Sequence, residues 1–142
     1  MDTSYAAPDG RPEATSTDPS TGGIVRALRI GVLVALALQV YVLYLYVPGS
    51  PDSVSIPFAD KLVHIAVFAL PAVLGVLAGV RTRLVALVLA VHAPVSELVQ
   101  HLWIPTRSGE PWDVVADWVG VALGLLVGLV LARRRGLPRR SG

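Results

Sequence analysis

Long apolar segments alternate with short polar ones along most of this 142-residue chain. A helix rising about 1.5 Å per residue needs about 20 apolar residues to cross a bilayer core of roughly 30 Å. Four segments meet that requirement, at residues 24–47, 60–80, 84–103 and 112–131. The pattern predicts an all-α membrane protein whose four transmembrane helices form a bundle.

The first segment also has a feature of a cleaved secretion signal, because Ala35-Leu36-Ala37 resembles a signal-peptidase site. A signal usually has an apolar core of roughly 7–15 residues, whereas this segment stays apolar to Val47. We therefore expect a retained helix.

The third segment contains a proline. Pro94 predicts a kink there, and we expect His92 to bond a backbone carbonyl that the kink frees.

Polar segments flank the apolar region at both ends. Residues 1–23 are rich in Ser, Thr, Pro, Gly and Asp, which predicts a disordered tail. Residues 133–142 contain five arginines directly after an apolar segment. This placement favours contact with anionic lipid headgroups over nucleic acid. The predicted organisation is a tail (1–23), a transmembrane domain (24–132) and a basic cytoplasmic tail (133–142).

Basic residues are distributed unevenly about the four predicted spans. Nine arginines fall on the side that holds the turn at Arg81–Arg83 and both ends of the domain, whereas the other side carries only Lys61 and Arg107. Because positive residues concentrate in cytoplasmic loops, both termini are predicted to be cytoplasmic. The two longer loops then face outward.

Composition agrees with a chain that lies partly in lipid. Hydrophobic residues make up 54% and charged residues 15%, against about a quarter charged in soluble domains. The chain has no cysteine, which excludes disulfides, thiolate metal sites and a cysteine nucleophile.

Most ionisable residues of the predicted spans lie at their outer ends. A charge deep in lipid costs about 2.5 kcal/mol or more, so such residues usually have a partner and a function. Glu97 lies about 9 Å inside the outer end of its helix, and Asp117 about one turn inside. The set is Asp60, Lys61, His64, Glu97, Gln100, His101, Arg107, Glu110, Asp113 and Asp117. These positions predict a polar pocket that opens outward.

The fourth span places its acids and its glycines on one face. Asp113, Asp117, Gly120, Gly124 and Gly128 fall within about 80° of one another on a helix of about 100° per residue. Glycines four residues apart allow a neighbouring helix to approach closely. We therefore expect the two acids to face another helix rather than lipid.

Purely structural roles are open for several of these residues. Glu97 and Asp117 would stabilise the bundle if they paired with Lys61 and Arg107. His64 would be a packed, neutral histidine if a single hydrogen bond satisfied it.

Three motifs in order resemble those of the VanZ-like membrane proteins. They are Asp60-Lys61-x-x-His64-x-x-x-Phe68, then Glu97-x-x-Gln100 with Pro105-x-Arg107, then Asp113-x-x-x-Asp117-x-x-Gly120-x-x-x-Gly124. The family usually has asparagine at the position of Asp117. It is named for a protein associated with teicoplanin resistance, so the resemblance implies a cell-envelope protein and supplies no mechanism.

The first functional hypothesis is binding at a multi-pass protein of the cell membrane. The ligand would be a membrane lipid, a cell-wall precursor or a glycopeptide, and binding would contribute to teicoplanin-type resistance. Lys61 and Arg107 would meet phosphate or carboxylate, and Glu97 and Gln100 would bond sugar or amide groups. Asp113 and Asp117 complete the predicted binding set.

The alternative hypothesis is a membrane-embedded hydrolase or transferase acting on an envelope lipid. His64 would be the base, Asp60 its orienting acid, and Glu97 a second acid or base. A metal ion at His64, Glu97, Asp113 and Asp117 is a further alternative, but a nearby lysine disfavours it. The sequence therefore predicts no metal or other cofactor, and it determines neither enzymatic activity nor oligomeric state.

Overall fold

The computed structural model describes residues 19–46, 59–104 and 110–135, with side chains from residue 22 onward. The helices are α1 (Pro19–Val40, continued by a π-helical turn at Tyr41–Leu45), α2 (Ala59–Leu77), α3 (Thr82–Trp103) and α4 (Pro111–Arg134). All four are long and apolar enough to cross a membrane. The chain is a multi-pass membrane protein, and the predicted all-α, four-helix fold is confirmed.

The helix ends lie close to the predicted span ends, with three differences. α2 ends at Leu77 rather than at residue 80, and α3 begins at Thr82, so the turn lies at residues 78–81 rather than at Arg81–Arg83. α1 begins at Pro19, within the region predicted to be a disordered tail, and α4 continues through Arg134, into the predicted basic tail. Residues 1–18 and 136–142, the remainder of the two tails, lie outside the described residues. Pro111 is the first residue of α4. The first N–H groups of a helix have no partner within the helix, so the missing N–H of proline costs no hydrogen bond there.

A short turn connects α2 to α3 and makes them antiparallel neighbours. Gly79 adopts a φ of 77°, a left-handed conformation that glycine takes without steric cost. The amide of Val80 then donates to the carbonyl of Gly75 at 3.0 Å, which closes the turn. Arg81 therefore lies at the opposite end of the bundle from the start of α2.

The closest contact in the bundle is between α2 and α4, which run parallel. Gly120 lies against the backbone of Ile65, Gly124 against that of Ala69, and Gly128 against that of Val73. Each pair is 55 residues apart, so the two helices keep one register over at least two turns. A Cβ atom at Gly124 would lie only 2.7 Å from the Cβ of Ala72. The glycines thus allow a backbone contact that no larger residue would permit.

A small apolar core fills the middle of the bundle. It includes Leu43 from the end of α1, Phe68 and Ala72 from α2, and Leu89 and Ala93 from α3. All five are buried, whereas much of the remaining apolar surface of the helices is exposed. This distribution is expected where lipid rather than water surrounds the helices.

A side chain from α4 satisfies the carbonyl that Pro94 leaves free in α3. Proline has no N–H, so the carbonyl of Ala90, four residues earlier, loses its helical partner. The indole Nε1 of Trp118 donates to that carbonyl at 3.0 Å, and α3 remains helical through Pro94.

The predicted hydrogen bond from His92 to a freed carbonyl is therefore not observed at Ala90. His92 instead packs against the rings of Tyr44 and Phe68, at centroid distances of 6.2 and 5.7 Å. Its Nε2 is buried and has no hydrogen-bond partner within the described ranges.

A polar cluster where α2 and α4 begin

Three helices bring polar side chains together at one end of the bundle. The parallel packing of α2 and α4 places their first turns side by side, and the antiparallel α3 adds residues from its last turns. We call the resulting group the polar cluster, which consists of Asp60, Lys61, His64, Glu97, Glu110, Asp113 and Asp117.

The exposed part of the polar cluster is organised around Lys61. Its Nζ lies 2.6 Å from Asp113 Oδ1, 2.8 Å from Asp60 Oδ2 and 3.1 Å from Glu110 Oε2. Asp60 and Glu110 are more than half exposed, so their pairs contribute about 0–1 kcal/mol each. The Asp113 carboxylate is only 12% exposed, so Lys61 is mainly the partner of Asp113.

The buried part of the polar cluster is a histidine with two carboxylates. His64 Nδ1 lies 2.9 Å from Asp117 Oδ1 and 3.7 Å from Glu97 Oε1. The first distance is a hydrogen bond, and the second is too long for one. His64 and Glu97 are 5% and 6% exposed, and Asp117 is fully buried. The bond to Asp117 fixes the orientation of the imidazole ring.

The buried carboxylates have more acceptor capacity than their surroundings use. Both oxygens of Glu97 and Oδ2 of Asp117 are buried without a hydrogen-bond partner among the residues described. A buried acceptor left without a partner costs about 1–3 kcal/mol, and more when it is charged. The cluster also has five carboxyl groups but only two basic side chains, Lys61 and His64. Among the described residues, the cluster therefore has fewer hydrogen-bond donors than acceptors and fewer positive than negative groups.

The structure brings most of the predicted site residues together but pairs them differently. Asp60, predicted to orient His64, instead bonds Lys61, and Asp117 occupies the position beside His64. A bundle-stabilising role for Glu97 and Asp117 would require ion pairs with Lys61 or Arg107. Within the described ranges, Lys61 pairs with neither of them.

The remaining predicted residues lie next to the cluster or beyond the described ranges. Gln100 is buried about one turn after Glu97 on α3, whereas His101 is exposed. Arg107 lies outside the described residues, so its predicted roles in binding and pairing stay predictions.

The sequence placed Glu110 in the predicted outer polar set without a partner, and it did not single out Gln39. Glu110 joins the exposed part of the cluster through Lys61. Gln39 is 1% exposed on α1, and its Nε2 has no hydrogen-bond partner in the part of the chain described. A polar residue that interrupts an apolar segment was the available signal for Gln39.

Comparison of the chain with protein-family models, curated proteins and solved structures gave no match. The resemblance to VanZ-like proteins accordingly rests on the three motifs, all of which fall on α2, α3, α4 and their connecting segment.

Proposed function

We propose that this chain is a VanZ-like protein of the cell membrane that binds the polar headgroup of an envelope amphiphile in the polar cluster. The amphiphile would be a membrane lipid, a lipid-linked cell-wall precursor or a lipoglycopeptide. In the last case, binding would contribute to resistance of the teicoplanin type.

The observation that carries the proposal is the acceptor capacity of Glu97 and Asp117 that no described residue uses. A headgroup with amino, hydroxyl or amide N–H groups would supply the missing donors, and hydrogen bonds to charged acceptors are among the strongest in proteins. Lys61 is already neutralised by three carboxylates. The cluster therefore favours donor-rich or cationic headgroups over a free phosphate bound by Lys61.

The surroundings of the cluster suit a ligand that also has an apolar part. Leu62 and Val63 are exposed on α2 directly beside Lys61. Trp103 and Trp112, at the same end of the bundle, are 74% and 69% exposed, and such aromatic residues favour the membrane–water interface. An amphiphile would place its headgroup in the cluster and its chains along these helices.

The arginine distribution supports an extracytoplasmic position for the cluster. Five arginines lie at the opposite end of the bundle: Arg26 and Arg29 near the start of α1, Arg81 in the α2–α3 turn, Arg83 in the first turn of α3, and Arg133 near the end of α4. The positive-inside rule puts that end in the cytoplasm. The cluster then faces the outer side of the membrane, from which a glycopeptide would approach.

A direct binding measurement tests the proposal. Purified full-length chain in lipid nanodiscs is titrated with a fluorescent teicoplanin derivative and, separately, with a lipid-linked cell-wall precursor. We expect saturable binding of at least one ligand by the wild type. Glu97→Gln should weaken that binding at least tenfold, because it replaces one acceptor oxygen with an N–H donor without changing side-chain size.

Asp60→Asn is the matched control, since it also neutralises a cluster carboxylate but at an exposed position. We expect this variant to bind within about twofold of the wild type. Equal binding by wild type and Glu97→Gln would contradict a role for the cluster. Teicoplanin susceptibility of a sensitive Gram-positive host, with membrane levels of each variant matched, then tests resistance itself.

A membrane-embedded enzyme is the second candidate, and the His64–Asp117 bond favours it. A histidine oriented by a buried carboxylate is a common general base, and Glu97 at 3.7 Å would provide an additional acid or base. Mass spectrometry of envelope lipids incubated with purified protein distinguishes this candidate. Headgroup cleavage by the wild type and none by His64→Ala would establish an enzyme. Unchanged lipids would leave headgroup binding as the only proposed function.

A further inference from the structure

We infer that the polar cluster binds one divalent transition-metal ion of the Zn²⁺ or Mn²⁺ class, with the buried residues His64, Glu97 and Asp113 as its ligands. This inference goes beyond the proposed function, because it concerns an ion and is tested without any headgroup ligand. Both proposals use the Glu97 oxygens, so an ion and a headgroup would compete for them.

The geometry brings three metal-binding groups together. One atom each from His64, Glu97 and Asp113 lies within 4.8 Å of the other two, and all three residues are buried. Two ligands at about 2.1 Å from one ion lie at most about 4.2 Å apart. The site would therefore close on an ion with side-chain shifts on the order of half an ångström.

Unpartnered acceptors provide an independent indication of an ion. Both oxygens of Glu97 lack a hydrogen-bond partner within the described ranges, although Glu97 is 94% buried. A doubly charged ion would satisfy them and would offset the excess of carboxylates over basic groups in the cluster. Burial among apolar helices makes such compensation important, since an isolated charge in lipid is costly.

Lys61, which disfavours a metal ion on sequence grounds, is largely neutralised in the structure. Its ammonium group contacts three carboxylates, of which two belong to the exposed part of the cluster. It engages Oδ1 of Asp113 at 2.6 Å, and the second oxygen of that carboxylate can bind an ion. Lys61 therefore holds the Asp113 carboxylate in position, and its own positive charge is largely balanced by the three carboxylates.

Asp117 completes the arrangement as a positioning residue. Asp117 Oδ1 lies 2.9 Å from His64 Nδ1, and this bond holds the imidazole ring in one orientation. Carboxylates that orient a metal-binding histidine in this way are common next to metal sites. The choice of metal follows from the ligands: one imidazole with two carboxylates suits Zn²⁺ or Mn²⁺ better than Ca²⁺ or Mg²⁺, which prefer oxygen ligands alone.

Equilibrium dialysis with elemental analysis tests the inference. Full-length chain is purified without a polyhistidine tag, placed in nanodiscs, stripped with a chelator and dialysed against Zn²⁺ or Mn²⁺ at graded concentrations. We expect one ion per chain for the wild type and for His101→Gln, which alters an exposed histidine outside the polar cluster. Glu97→Gln and Asp113→Asn should each lower the affinity at least tenfold.

Two readouts separate loss of a ligand from loss of the fold. Circular dichroism establishes the helical content of each variant, and if Glu97→Gln does not fold, Asp113→Asn decides the question. Cu²⁺ bound to the wild type should show nitrogen coupling in electron paramagnetic resonance, and His64→Gln should abolish it.

Three outcomes would overturn the inference: no stoichiometric ion on the wild type, unchanged affinity in both carboxylate variants, or no nitrogen coupling. Headgroup binding by the chelator-stripped protein together with any of these would leave the proposed function standing. An ion bound as expected, with no headgroup ligand found, would support the ion site and contradict the proposed function.

Discussion

Replacing Gly124 with alanine tests the closest helix contact in the molecule. The added Cβ would clash with the carbonyl oxygen of Ala69 and would lie 2.9 Å from the Cα of that residue and 2.7 Å from the Cβ of Ala72. Ordinary carbon–carbon contacts are about 3.5–4.0 Å. Because backbone atoms cannot rotate away, α2 and α4 would have to separate by about 1 Å.

Two opposing terms set the expected magnitude. Overpacking of this kind costs about 1–3 kcal/mol, and the backbone contacts place Gly124→Ala at the upper end. Alanine regains up to about 1 kcal/mol over glycine in a helix interior. The free energy of unfolding should therefore fall by about 1–2 kcal/mol.

Gly31→Ala in α1 is the matched control for the same chemical change. Its Cβ would lie 3.6 Å from Leu74 Cδ1, an ordinary contact. Only the propensity term then applies, so this variant should be as stable as the wild type or up to about 1 kcal/mol more stable.

Reversible unfolding in mixed detergent micelles, followed by circular dichroism, measures both variants against the wild type. The expected difference between Gly124→Ala and Gly31→Ala is about 2 kcal/mol. Equal stability of the two variants would refute the backbone contact between α2 and α4. A loss in both would show that glycine flexibility, not close packing, is required.

Two further predictions use the same unfolding assay. Trp118→Phe removes the donor that satisfies the carbonyl freed by the α3 proline, and should cost about 0.5–1 kcal/mol. Trp112→Phe, at an exposed position, should change stability by less than about 0.5 kcal/mol, and equal losses would contradict the α3–α4 bond. Lys61→Met leaves the buried Asp113 carboxylate without its cation and should cost about 1–3 kcal/mol. Asp60→Asn should cost under about 1 kcal/mol, and a larger loss there would mean that Asp60 is the main partner of Lys61.

The fold was accessible from sequence because length and apolarity determine what can cross a bilayer. Each of the four apolar segments is long enough for a helix, and the short turn between α2 and α3, at residues 78–81, forces these helices to be antiparallel. The glycines of α4 lie on the face that periodicity assigned to packing.

The pairing within the site was less accessible, because it depends on how helices are ordered and rotated about their axes. Periodicity places Asp60 and His64 on one face of α2, yet the acid that bonds His64 comes from α4. Likewise, Pro94 predicts a freed carbonyl, but only the position of α4 identifies Trp118 as its donor. The periodicity and spacing of residues show which face of a single helix they share. The contacts between helices depend also on how two helices are placed relative to each other.

The parallel arrangement of α2 and α4 also has an electrostatic consequence. The peptide dipoles of a helix sum to about half an elementary positive charge at its first turn. In an antiparallel pair the two ends would oppose each other, whereas here both positive ends lie at the polar cluster. Asp60 and Asp113 each occupy such a first turn. The main chain therefore stabilises these two carboxylates locally, at the first turns that they occupy, and this offsets the negative end of the antiparallel α3 at the same cluster.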